Sequence, residues 1–264
     1  MNYHTTTIEI KQGLNTQGFF SFKTPETVII FIHGFAGKSI ITWNNFPQFI
    51  LPDKDFSKSD LIFYGYDTFG GQAGDHASEL YDFLNLMEKP LGNGILPSQQ
   101  NLPERAYKKI VLVAHSLGAI LARQAQILAF DGGSNWLKKS SLILFAPAHN
   151  GAQILPLMME ALPGLWSLLG LFIKYRYPIL RDLDSEDDGI WKSIKDRTEQ
   201  LQEIPEGEPT KAKLVVFAKG DKVVRNIPYL KDLPPKVIDG QTHMSVCKPK
   251  ENFYMPVELL KKLL

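Results

Sequence analysis

KIVLVAHSLGAILARQAQILAF, Lys109 to Phe130, is the stretch that decides the fold. Its first part, Lys109 to His115, is a continuous apolar and β-branched run, the mark of a strand covered on both faces as in a parallel sheet. Its second part, Leu117 to Phe130, is apolar almost all round, which predicts a buried helix. Between them, AHSLG (Ala114 to Gly118) is a strand-to-helix turn with a serine at its apex and small residues two positions to either side.

Working outward, the same kind of strand recurs at TVIIFIHG (Thr27 to Gly34), LIFYGY (Leu61 to Tyr66), SLILFAPA (Ser141 to Ala148) and KLVVFAKGD (Lys213 to Asp221). A short strand, KVID, ends at Asp239. Helical spacing of Leu80, Phe83, Leu84 and Met87 predicts a helix over Gly74 to Glu88, with Asp75 as its N-cap. Met255 to Leu264, with Pro256 in its first turn, predicts another. Strands alternating with helices imply a mostly parallel α/β sheet with right-handed crossovers. The opening residues, TTTIEI and then GFFSFK, read as a β-hairpin on the sheet edge.

His149 to Pro209 breaks the alternation and is too long for a plain connection. It is expected to be a helical cap inserted between two strands of a core made of residues 1–148 and 210–264. Its first half is dense in Leu and Met, with Trp166 and Leu169 among its apolar residues. Pro156, Glu160 and Pro163 argue against a membrane-spanning helix there.

Composition narrows the partners. There are 29 Lys plus Arg against 28 Asp plus Glu, a net charge of +1, which gives no reason to expect nucleic acid. The single cysteine, Cys247, permits no intrachain disulfide and is expected to serve as a small apolar residue. The amino-terminal residues lack the basic start and apolar core of a signal peptide, so the expected location is cytoplasmic. No Cys/His cluster has zinc spacing, and no metal or cofactor is expected.

A serine hydroxyl attacks a carbonyl only when a base takes its proton. A strand–turn–helix junction presents Ser116 at the end of a buried strand and aims the following backbone N–H groups at the same point. Ser116 is therefore the candidate nucleophile. HGF, His33 to Phe35, follows an earlier buried strand; its loop can offer the Phe35 N–H to a developing oxyanion, with the Leu117 N–H as second donor. The His33 side chain is expected to shape that loop. Later in the chain, Asp221 directly follows a long buried strand, and His243 lies in a loop after the last strand. They are the candidate acid and base. Asp239 is the rival acid, expected instead to order the histidine loop.

On HGF…TW (His33 to Trp43), YGYDT (Tyr64 to Thr68), AHSLG and FAPAHNGA (Phe145 to Ala152), the chain resembles the α/β-hydrolase superfamily of lipases and esterases. In detail it is similar to the serine esterases of the inositol-deacylase and SERAC type. Ala114 departs from the usual G-x-S-x-G by one methyl group. FAPAHNGA departs from T-P-H-x-G-S by Ala146, an extra alanine before His149, and Ala152. The resemblance implies a cofactor-independent hydrolysis of carboxylic esters, with acyl or lipid esters as substrates and the cap as the part that would meet a membrane. Acyl transfer on the same scaffold and a non-catalytic binding protein of the same fold are the alternatives. The sequence leaves the oligomeric state open.

Overall fold

The computed structural model describes residues 3–4, 7–89, 102, 105–162, 177–185 and 189–264. Its centre is an eight-stranded sheet in the order β1-β2-β4-β3-β5-β6-β7-β8. The strands are β1 (Ile8–Glu9), β2 (Gln17–Phe19), β3 (Thr27–Ile32), β4 (Ser59–Tyr64), β5 (Lys109–His115), β6 (Ser140–Phe145), β7 (Ala212–Ala218) and β8 (Lys236–Ile238). From β4 to β8 every pair is parallel; β1 and β2 form an antiparallel hairpin that joins the sheet at β4. Each continuous apolar run in the sequence is one of the parallel strands, and the interior residues of β3, β4 and β5 are fully buried.

Consecutive residues of a strand point to opposite faces, so β4 shows what covers each side of the sheet. Phe63 stacks on Phe31, which packs against Trp43 and Phe46 beside helices α1 (Ser39–Thr42) and α2 (Phe46–Ile50). Its neighbour Tyr64 meets Phe83 of α3 (Ala73–Leu86) on the other face. There α3 packs on α4 (Leu117–Asp131). Among the described residues the other α-helices are α5 (Ile154–Ala161), α6 (Pro178–Leu183), α7 (Ile190–Gln202) and α8 (Met255–Lys261). Helix α8 lies against α2.

One local expectation is corrected. Gln72, not Asp75, occupies the N-cap of α3, and Asp75 sits at the third helical position, accepting the Gln72 N–H at 3.3 Å. A carboxylate there reaches back to an otherwise unpaired donor of the helix start, which serves the same need by the reciprocal route.

The segment expected as a cap, 149–209, contains α5, α6 and α7. The apolar edge of α7, including Ile194 and Leu201, packs against α4. Its entry is tied down at two places: the Ala152 N–H donates to the Leu183 carbonyl, and the Gln153 N–H to the Val223 carbonyl. Trp166 and Leu169 lie outside the described residues. Among the described residues no helix is long and apolar enough to cross a membrane.

Candidate active site

The parallel strands end at one edge of the sheet, and the loops that follow them meet there. This is the edge at which open α/β sheets bind ligands. Residues 33–37 follow β3, Ser116 follows β5, residues 146–152 follow β6, Asp221 follows β7 and His243 follows β8.

Ser116 has φ +53° and ψ −120°, a conformation that non-glycine residues rarely adopt. The surroundings over-determine it. Its N–H donates to the Phe145 carbonyl at 3.2 Å, and its carbonyl accepts from Ala148 at 3.2 Å. Two glycines make room for the turn. A Cβ at Gly34 would lie 2.8 Å from the Ser116 Cβ, and one at Gly118 would lie 2.5 Å from the Ile32 carbonyl oxygen. The small residue two positions after the serine is thus required by β3, which α4 approaches closely, rather than by a clash within the turn. Ala114 pairs with Ile32 and Leu144 on the neighbouring strands and is fully buried.

The three candidates for proton chemistry form one chain. The Ser116 hydroxyl is 2.8 Å from His243 Nε2, and His243 Nδ1 is 3.0 Å from Asp221 Oδ2. A carboxylate only accepts, so Nδ1 carries the proton and Nε2 is left free to take the serine's. Asp221 Oδ1 accepts the N–H groups of Val223 (2.8 Å) and Val224 (3.1 Å), which pins the second oxygen toward the imidazole. All three side chains are buried; Ser116 is 1 % exposed and His243 0 %. The rival Asp239 is elsewhere. It is exposed, pairs with Lys219 Nζ at 3.0 Å and accepts the Gly240 N–H at 2.9 Å. The lysine holds its carboxyl below the usual range.

Beside Ser116, the N–H groups of Phe35 and Leu117 make no hydrogen bond among the described residues. Both residues are buried. Leu117 opens α4, where the helix dipole adds positive potential. The Phe35 loop is held by its neighbours. The Ala36 N–H donates to Thr68 Oγ1 at 3.1 Å, and Ala36 itself has a positive φ of 55°. The HGF and YGYDT motifs, far apart in sequence, also meet directly: the Tyr66 hydroxyl donates to the His33 carbonyl at 2.7 Å.

Three further histidines stand around the site, all buried and all neutral. His33 donates from Nδ1 to the Gly34 carbonyl (2.9 Å) and stacks on Tyr66 at 4.3 Å. Burial lowers its pKa from 6.5 to about 4. His149 donates from Nε2 to the Ile227 carbonyl (2.9 Å) and stacks on Tyr229, whose hydroxyl donates to the His149 carbonyl. Burial lowers its pKa to about 3. His115 donates from Nε2 to the carbonyl of His243 at 2.9 Å, and burial holds it well below the ordinary value. Sequence reasoning gave a part to His33 alone. Cys247 is buried, and burial pushes its thiol up to about 12, so it stays protonated.

The sheet order and the strained serine turn define the α/β-hydrolase fold. Solved structures agree at the level of fold. A Bacillus licheniformis lipase in its mature form is 18 % identical, with 93 % of this chain and 96 % of that chain covered, at a TM-score of 0.59. A peroxisomal α/β-hydrolase of Saccharomyces cerevisiae is 11 % identical over 98 % of this chain and 86 % of that one, TM-score 0.56. The naproxen esterase of Bacillus subtilis is 10 % identical over 99 % and 92 %, TM-score 0.51. No protein-family model matches the chain, and no curated protein matches it by sequence.

Proposed function

We propose that the protein is a serine hydrolase that cleaves carboxylic esters, with acyl or lipid esters as its substrates. The observation that carries this reading is the hydrogen-bonded chain Ser116–His243–Asp221 ending beside two backbone N–H groups that have no partner among the described residues. In the first step Ser116 Oγ attacks the ester carbonyl while His243 Nε2 takes its proton. The carbonyl oxygen, now negative, sits between the Phe35 and Leu117 N–H groups. His243 returns the proton to the leaving alcohol, and the acyl group remains on Ser116. In the second step water gives a proton to His243 and attacks the acyl-enzyme, which frees the acid and restores the serine. Asp221 keeps the imidazole in the required tautomer and stabilises the imidazolium.

The lipase and the esterase among the structural neighbours support ester chemistry; the finer likeness to inositol-deacylase and SERAC-type esterases rests on sequence motifs alone. The apolar first half of the cap, residues 152–177, supports an acyl substrate. Each CH₂ buried from water is worth about 0.8 kcal/mol, so kcat/KM should climb with acyl length until the pocket is full.

The test has two parts. A fluorophosphonate probe should label the wild type and not Ser116→Ala; absence of labelling in both would leave a non-catalytic binding protein. A series of acetyl, butyryl, octanoyl and palmitoyl esters should then show rising kcat/KM. A steady fall from acetyl onward would replace the lipid reading with a small-ester hydrolase, and product partition between water and an added alcohol would reveal acyl transfer.

A further inference from the structure

We propose that His115 and Glu160 are positioning residues that grip the two ends of the His243–Met244 peptide and so hold the imidazole in line with Ser116. This rests on the hydrolase reading above. The side chain of His243 is fixed by Ser116 and Asp221, but those contacts change as protons move. The peptide that follows is fixed independently. Its carbonyl accepts from His115 Nε2 at 2.9 Å, and its N–H, on Met244, donates to Glu160 Oε2 at 3.4 Å. Glu160 lies on α5, within the segment read as the cap, whereas His115 is the last residue of β5. One peptide group therefore joins the nucleophile strand, the histidine loop and the cap.

The His115 ring is set for this task at a cost. It is 1 % exposed and lies 5.1 Å, centroid to centroid, from the His243 ring. On its other side a Cβ at Gly34 would come within 3.0 Å of Nδ1, so the ring fills the space between the oxyanion loop and the histidine loop. Nδ1 has no partner among the described residues. A buried acceptor left unpaired is unfavourable, and an apolar residue would avoid that. What the imidazole supplies in return is a single N–H aimed at the His243 carbonyl. Burial keeps the ring neutral, so it adds no positive charge beside the imidazolium that forms on His243 during turnover.

The geometry makes a specific forecast for replacements. A glutamine amide nitrogen reaches the place of Nε2, an asparagine nitrogen reaches only that of Nδ1, and phenylalanine fills the space without a donor. With a small acetyl ester, His115→Asn and His115→Phe should lower kcat about 10- to 100-fold with KM within roughly twofold, the range expected when a catalytic group shifts by about 1 Å. His115→Gln should recover most of that loss. Glu160→Ala should lower kcat by a smaller factor than either, and Glu160→Gln, which keeps an acceptor, should exceed it. Thermal melts check that each variant is folded; if His115→Phe does not fold, the Gln and Asn variants decide. Wild-type kcat in folded His115→Asn, or His115→Gln no faster than His115→Asn, overturns this inference and leaves the hydrolase reading intact. A wild type that neither turns over esters nor labels with fluorophosphonate overturns both.

Discussion

The two ends of the central sheet each bury an aspartate, and the two have partners of different kinds. At the amino end, Asp60 in β4 accepts the Ser21 N–H (2.7 Å), Arg105 Nε (2.6 Å) and the Tyr107 hydroxyl (2.7 Å). Arg105 also donates to the Ser21 carbonyl and lies over the Phe20 ring. These bonds tie together three separate parts of the chain, so the cluster works as a brace between the opening hairpin, β4 and the approach to β5. At the carboxyl end, Asp221 also accepts from two backbone N–H groups, but its third partner is the imidazole of His243. In the proposed mechanism that imidazole takes a proton and returns it. A buried carboxylate is a structural tie when its partner is a guanidinium; beside a histidine linked to a hydroxyl it would, on the proposed hydrolase reading, support proton transfer.

That contrast can be broken by mutation, and the largest effect belongs to the carboxyl end. Ser116→Ala should reduce ester turnover by roughly 10⁴- to 10⁶-fold, because only binding and oxyanion stabilisation remain. Its unfolding midpoint should stay at the wild-type value or rise, since the change removes one oxygen from a strained residue. Turnover of an aryl ester by Ser116→Ala at the wild-type rate would mean that another residue is the nucleophile.

Asp221→Asn should lose about 10³- to 10⁴-fold in kcat with little change in stability, since a neutral amide cannot stabilise an imidazolium. Asp239→Asn should stay close to wild type. Kinetics of the pair settle the choice, and a greater loss at Asp239 would move the acid's role there.

Asp60→Asn should do the reverse. Breaking a buried ion pair strands the Arg105 charge and costs about 3–5 kcal/mol. Denaturant melts should show that loss, while kcat per folded molecule holds. A large drop in kcat with unchanged stability would show that the two ends are coupled in a way their contacts do not reveal.

The smallest expected effect concerns acid stability. His33 and His149 have folded pKa values of about 4 and about 3 against an ordinary 6.5. Below pH 6.5 the unfolded chain binds protons that the folded chain refuses, so stability rises with pH in this window and is lost as pH falls. At pH 5 each group should weigh against the fold by about 2 kcal/mol. Urea midpoints between pH 7.5 and 5 should fall accordingly. The slope should be shallower in His149→Gln, which keeps a donor for Ile227 without a titrating ring; an unchanged slope would remove His149 from the account.

Much of this molecule was legible in one dimension because its signals are local. A strand buried on both faces must be apolar at every position, so β3 to β7 announce themselves as runs. AHSLG marks Ser116 because a serine flanked by Ala114 and Gly118 stands where an apolar run gives way to a helical pattern, and backbone donors follow from the same turn; why Gly118 must be small is decided by β3. The choice between Asp221 and Asp239 was different in kind. Both follow strands that are paired in register, Ala218 with Ile238, and end at the same edge. What separates them is the direction each side chain takes: two backbone N–H groups turn Asp221 inward, and Lys219 holds Asp239 at the surface.

Thr68, His115 and His149 stand in motifs quoted from the sequence, but nothing along the chain showed what the supporting residues hold. Thr68 braces Ala36 across 32 residues, His149 holds Ile227 across 78, Glu160 meets Met244 across 84 and His115 reaches His243 across 128. Sequence by itself determined the strands, the nucleophile turn and the residue types able to move a proton, because each depends on neighbours along the chain. Only the tertiary structure decided which carboxylate faces His243 and which neutral histidines hold the surrounding loops, because a hydrogen bond depends on where separate loops meet.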